Sequence, residues 1–341
     1  MIGKGLRPMS SLRQFKRTKV YLILILLIAV GLLVNGCGKK KVYRVGILCG
    51  LDYLEVVAEG FKQKMTELGY IEGKNIIYDV QKVKSYMEDI DRISKQFVAD
   101  KVDLIFCFPT EAALGAKKAT AGTTIPVVFA VTNIEKTDLI KSIREPGGNI
   151  TGVRYPGPDL AIKRFEIMQQ LAPQAKRYLI PYHPDLPVCY PQLEILRPAA
   201  KNAGITLIEA PVRNAQEIEA FLKQRDEVPD FDAILSIAET ISVTPEPFLV
   251  MNKFAVKHRI PMGGALMEVD GYSSIFGVNI KDSQSGVNAA ILADKILKGT
   301  KAGTIPVVSD ESYFEINYKE AQKLGLNVSE SLLVQANRVI R

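Results

Sequence analysis

The sequence predicts an α/β protein made of two doubly wound, parallel-sheet lobes with a ligand cleft between them. Three observations carry that expectation. Apolar runs of strand length alternate with segments of helical periodicity over most of the chain. The alternation halts at the turn-rich stretches Glu145-Pro146-Gly147-Gly148-Asn149 and Pro156-Gly157-Pro158, and then restarts. About 300 residues remain once an N-terminal leader is set aside, more than one hydrophobic core usually serves.

Residues 42–49 (VYRVGILC) are mostly apolar and end at Gly50, as a buried parallel strand does. Residues 53–68 carry Leu54, Val57, Ala58, Phe61, Met65 and Leu68 at helical spacing and stop at Gly69, a natural residue just past a helix. A strand at 75–80 and a helix at 86–99 follow, the helix with Ile90, Ile93, Phe97 and Val98 on one side. Residues 102–108 (VDLIFCF) make a third strand, 111–119 a short alanine-rich helix, and 125–131 (IPVVFAV) a fourth strand. After a short strand at 150–154, Asp159 opens a helix to Leu171, and here the chain first crosses between lobes. The second lobe reads as strand 175–182, helix 192–203, strand 205–210, helix 215–225, strand 233–237 and helix 247–258. Strands at 260–262 and 274–278 precede a long helix at 283–297 closed by Gly299, then a strand at 313–316 and a helix at 319–324. The lobes are expected to divide as 42–155 plus 280–308 and 156–279 plus 309–341. In such sheets ligands sit beyond the carboxyl ends of the strands, and two facing sheets can close by hinge motion.

The N-terminus has a different character. Arg13, Lys16, Arg17 and Lys19 precede an uncharged run over 20–36, which ends in Val34-Asn35-Gly36-Cys37. A basic segment, an apolar segment and a small residue before the cut are the parts of a secretory signal peptide, here 1–36. The apolar stretch over 20–34 is shorter than the roughly 20 residues a spanning helix needs. The cysteine that follows at once resembles a bacterial lipobox, which implies lipid on Cys37 and a tether over 37–41. The leader also explains the net charge of +7. Residues 1–44 hold ten of the 44 basic residues and no acid, so 34 basic face 37 acidic residues in the remainder, a balance of −3. That near-neutral body gives no footprint for nucleic acid.

Several stretches then resemble ABC-transporter substrate-binding proteins of the tryptophan/tyrosine type, which have the type I periplasmic-binding-protein fold. They are 110–120 (TEAALGAKKAT), 125–132 (IPVVFAVT), 146–153 (PGGNITGV), 275–286 (IFGVNIKDSQSG), 296–299 (ILKG) and 316–326 (INYKEAQKLGL). The resemblance implies a monomeric, lipid-tethered receptor outside the cytoplasmic membrane that hands a small molecule, an amino acid or related nitrogenous compound, to a permease. The chain departs from the family pattern at the site. A usual Thr-Pro-Ala reads Thr110-Glu111-Ala112, the expected aspartates after two strands are Asn133 and Asn279, and a second-lobe Asp is Glu239. A buried α-ammonium wants a carboxylate, and Glu111 and Glu239 remain to supply it.

Candidate contacts follow from strand ends and crossings. Cys49 and Asp52 follow the first strand; Cys49 reads as a small cleft-lining residue rather than a reactive thiol. A disulfide from Cys49 to Cys107 on the neighbouring strand is left open. Thr110 and Glu111 open the helix after the third strand, either as ligand donors or as a helix cap and a solvated acid. Thr132 and Asn133 end the fourth strand, and Tyr155 stands before the first crossing with a stacking face and a hydroxyl, or as hinge packing. His183 follows the first strand of the second lobe, in the cleft or on a surface loop. Glu239 and Thr240 follow strand 233–237, and Asn279 lies at a later crossing, able to donate or accept. His258, at a helix end, reads as a favourable C-terminal charge. With no glycine-rich phosphate loop, nucleophile elbow or ligand-spaced His/Cys cluster, neither catalysis nor a metal or cofactor is expected.

Overall fold

The structure, a computed structural model, describes residues 41–51, 54–83, 86–239 and 241–341. The signal peptide, Cys37, Asp52 and Thr240 lie outside the described residues.

The first sheet has six strands, all parallel, in the order β13-β5-β4-β3-β1-β2. Here β1 is Tyr43–Cys49, β2 Ile76–Lys82, β3 Leu104–Phe108, β4 Val127–Thr132, β5 Ile150–Arg154 and β13 Val308–Ser309. Helices α1 (Glu55–Glu67), α2 (Tyr86–Ala99), α3 (Thr110–Ala119) and α8 (Asp282–Leu297) flank it. A parallel sheet covered on both faces needs apolar residues at every position, and β3 (LIFCF) and β4 (VVFAVT) are buried throughout. One face packs Leu48, Ile105, Cys107 and Phe129 with Ile90, Phe97 and Ala113. The other packs Ile47, Phe106 and Phe108 with Val57 and Phe61 of α1 and Ala289 of α8. The α1/α8 crossing is close: a Cβ on Gly286 would stand 2.0 Å from the Val57 carbonyl oxygen, so glycine is the residue that fits.

This register also decides the disulfide question. In the β1/β3 ladder Cys107 pairs with Leu48 and Cys49 with Phe108. A one-residue offset turns the two cysteines to opposite faces of the sheet, and both are thiols, not a disulfide.

The second sheet has order β7-β6-β8-β9, with β6 at Arg177–Tyr182, β7 at Thr206–Pro211, β8 at Ala233–Leu235 and β9 at Met262–Gly263. Its helices are α4 (Gly157–Leu171), α5 (Cys189–Asn202), α6 (Ala215–Lys223) and α7 (Pro245–His258). A three-stranded sheet, β12 (Phe276–Asn279), β14 (Tyr313–Asn317) and β15 (Arg338–Ile340), continues from its edge. The join is a bridge between Gly264 and Gly277, where Gly264 N–H donates to the Phe276 carbonyl at 3.0 Å. Gly264 has φ +115°, and a Cβ there would meet the Ser236 carbonyl at 2.2 Å. The hairpin of β10 (Glu268–Val269) and β11 (Tyr272–Ser273), α9 (Tyr318–Lys323), α10 (Glu330–Gln335) and two 3₁₀ turns at Ile241–Val243 and Ala302–Thr304 complete the elements among the described residues.

Three segments connect the two sheet systems: β5 into α4, β12 into α8, and β13 into β14. They are tied to one another. Arg154 at the end of β5 pairs with Glu135 at 2.8 Å and Asp159 at 2.5 Å, and its Nε donates to Ser309. Asp310 accepts from Ser285 and from Asn288 Nδ2, fastening the third segment to α8. His258 sits at the last turn of α7, 2.9 Å from Asp226. Among the described residues no helix is long and apolar enough to cross a membrane.

Candidate functional site

A cavity of about 410 Å³ opens where the carboxyl ends of the parallel strands of both sheets converge. The first lobe lines it with Leu51, Leu54, Thr110, Glu111, Val131 and Asn133, and the peptide before its Pro109 is cis. The second lobe contributes Arg164, Leu186, Val188, Ala238, Glu239 and Leu266, and the crossings add Tyr155, Asn279, Ile280 and Asp282. Of the residues expected at the site, Thr110, Glu111, Asn133, Tyr155, Glu239 and Asn279 therefore share one cavity.

Three expected residues do not line it. Cys49 is 2% exposed and its Sγ donates to the Leu51 carbonyl. Thr132 is fully buried, its hydroxyl donating to the Ala130 carbonyl at 2.8 Å. Val131 takes φ +47° just before it, and the strand register shifts between Phe129 and Thr132, so Val131 lines the cavity and Thr132 does not. His183 keeps its ring nitrogen towards the Asp185 N–H, and only its backbone reaches the site, bonding Glu239. Thr110 is the first helical residue of α3, not its cap. Pro109 takes the cap position without a side-chain bond, and Thr110 Oγ1 accepts from the Asn133 N–H at 3.0 Å.

Glu239 is the most constrained acid. It is 7% exposed and accepts from the N–H groups of Ile241 and Ser242 at 2.8 Å and from the Ser242 hydroxyl at 2.9 Å. Burial outweighs these donors and pushes its carboxyl up to about 7. Its loop is pinned by Gln192 of α5, whose amide donates to the Ala238 carbonyl and accepts from the Ala238 N–H, both at 2.9 Å. Asp282, in the first turn of α8, is pushed up to about 6 by burial and by the charge of Asp310. Burial also raises the Tyr155 phenol.

Sequence reasoning missed Arg164, which sits on α4 at 1% exposure. Its Nε donates to the Val278 carbonyl at 2.9 Å, Nη1 to the Ser236 carbonyl at 3.2 Å and Nη2 to Asn279 Oδ1 at 2.8 Å. A further bond joins it to Tyr155, and the charge of Glu239 opposes the fall that burial imposes on its pKa. A charged residue in a helix interior normally reads as surface. The one hint was its place in the apolar face of α4, between Leu160, Ala161 and Met168. Gln192, another polar residue inside a helix, was missed in the same way, and Asp282 opens α8 three residues beyond the strand end expected at the site.

The fold and the cavity define a two-lobed α/β solute-binding protein with a polar-ended, apolar-walled cleft. The chain belongs to the ABC transporter substrate binding protein family, whose model matches residues 45–340. It is 27% identical over 292 residues to a tyrosine-binding protein of Clostridioides difficile, covering 84% of this chain and 82% of the relative. Among solved structures it is similar to an ABC domain from Streptococcus pneumonia in complex with L-Trp. That match has a TM-score of 0.74 and 25% identity, and covers 88% of this chain and 100% of the other. The ligand-free, open structure of a substrate binding protein with adhesive properties from Clostridium difficile shares the fold. There the TM-score is 0.69 at 21% identity, with 88% and 99% of the two chains covered. The fold is that of type I periplasmic binding proteins, and these relatives are substrate-binding proteins, not enzymes.

Proposed function

We propose that this chain is the lipid-anchored, extracytoplasmic receptor of an ABC importer, capturing an amino acid, aromatic ones included, by closure of its two lobes. The observation that carries the ligand class is the charge of the cavity: Glu111, Glu239 and Asp282 against the single guanidinium of Arg164 among the described lining residues. That excess of carboxyls suits an ammonium, because a buried cation needs a paired anion. The walls of Leu51, Leu54, Val131, Leu186, Val188 and Leu266, with Tyr155, suit a planar apolar side chain. The relatives named for tyrosine and crystallised with L-Trp support the same class. The lobes would be 42–155 plus 280–308 and 156–279 plus 309–341, moving about the three connecting segments as a monomer docks on its permease.

A thermal-shift screen tests the reading. A ligand bound only by the folded state at a hundredfold its Kd adds about 2.7 kcal/mol of stability, so L-tyrosine or L-tryptophan should raise the melting temperature by several degrees. Stabilisation by a sugar and by no amino acid would overturn the ligand class, and turnover of the stabilising compound would overturn the binding role. Anchoring is tested separately. Mass analysis of the mature N-terminus is expected to show a lipid-modified Cys37, and an unmodified thiol or a retained leader would refute it.

A further inference from the structure

Asn279 ends β12 at the crossing into α8 and lines the cavity. The orientation of its amide is set by its neighbour. Arg164 Nη2 donates to Asn279 Oδ1 at 2.8 Å, and a guanidinium has donors only. The amide oxygen therefore faces Arg164, and the NH₂ group is the one left for the cleft, with no hydrogen-bond partner among the described residues. Arg164 itself has little left to give. Val278, Ser236 and Tyr155 take its other assigned donors. Its charge nevertheless has no carboxylate in ion-pair contact among the described residues, although it is 1% exposed. An anion seated on Asn279 would lie next to that charge in a low-dielectric site, where the attraction is strong.

We propose that Asn279 is the donor that seats the ligand's carboxylate, with Arg164 as the positioning residue behind it. The cleft then selects a molecule with an anionic acceptor at the Asn279 end and a cationic donor for the acids, Glu239 foremost. This rests on the solute-binding reading above and extends it from a ligand class to a polarity within the cleft. An aspartate at 279 would pair with Arg164 and turn an acceptor, not a donor, towards the ligand.

The test is calorimetric titration with matched probes, each carboxylate beside a counterpart lacking it: L-tyrosine and tyramine, L-tryptophan and tryptamine, phenylacetate and phenylacetamide. The parent should bind the carboxylate member of a pair at least about tenfold more tightly, the scale of one charge-assisted hydrogen bond. Asn279→Asp should collapse or invert that ratio. Asn279→Ala, which adds no charge, should collapse it without inversion. The ratio does not depend on the folded fraction, and the melting temperature without ligand reports folding separately. Equal affinity of the parent for both members, an unchanged ratio in both variants, or no binding of any carboxylate probe would overturn the assignment. If phenylacetate binds and its ratio collapses while both amino acids fail, the amino-acid reading falls and the role of Asn279 stands. If L-tyrosine binds with a ratio that neither variant moves, the reverse holds.

Discussion

Replacing Arg164 with leucine is expected to cost about 3 kcal/mol or more of stability, because it removes the hydrogen-bond donor of several acceptors at once. The guanidinium bridges three acceptors on two segments: the Val278 carbonyl and the Asn279 side chain at the end of β12, and the Ser236 carbonyl after β8. Leucine recovers some packing but none of these bonds, and each orphaned buried acceptor costs about 1–3 kcal/mol. Glu239 would also lose the attraction between its carboxylate and the Arg164 charge. Arg164→Lys should recover only part of the loss, because one ammonium cannot span a planar array of three acceptors. Urea unfolding of parent and variants measures this as a drop in midpoint at unchanged slope. A leucine variant as stable as the parent would show that water satisfies all three acceptors and that the cation is dispensable to the core.

Much of the fold was legible because its signals are local. The continuous apolar strands β1, β3 and β4 and the periodic helices α1 and α2 stand where their patterns place them. The elements not expected are short: β10, β11 and β13 have two residues each, β15 has three, and α10 has six. Such pieces carry no measurable period and form because a neighbouring edge accepts them, as β5 accepts β13.

The cleft was legible only in part, and the division has a physical basis. Thr110, Glu111, Asn133 and Glu239 follow strand ends, where a doubly wound topology exposes its loops to ligand. Thr132 follows the same rule yet points away, because the bulge at Val131 reverses the alternation. Arg164 obeys no loop rule. It reaches the site from inside a helix, through a side chain long enough to cross the core, and only three-dimensional packing reveals its partners. The same is true of Gln192, which holds the Glu239 loop from α5.

The protonation of Glu239 should make both stability and binding depend on pH, in opposite directions. Its carboxyl titrates near 4.5 when unfolded and at about 7 in the folded protein. Below about 4.5 it is protonated in both states, and the stability linked to the bound proton is fully present. Between these values only the folded chain holds the proton, so stability falls as pH rises, by about 3 kcal/mol over the full interval. Asp282, raised to about 6, acts with the same sign. The groups facing Glu239 are the N–H donors of His183, Ile241 and Ser242, the Ser242 hydroxyl, the Cys189 thiol and the Arg164 charge, and burial outweighs the donors among them. An ammonium ligand reverses the balance by favouring the carboxylate. Binding of L-tyrosine should therefore tighten as pH rises from 5 to 7, with release of a proton that calorimetry in buffers of different ionisation enthalpy detects. Glu239→Gln keeps the shape and removes the titration. Its melting temperature should decline less than the parent's between pH 5 and 8, and its affinity at pH 7 should be weaker by at least about tenfold, the scale of a lost charge-assisted bond. If parent and Glu239→Gln share the same pH profile for both quantities, the proton lies elsewhere and Glu239 does not meet the ligand's cation.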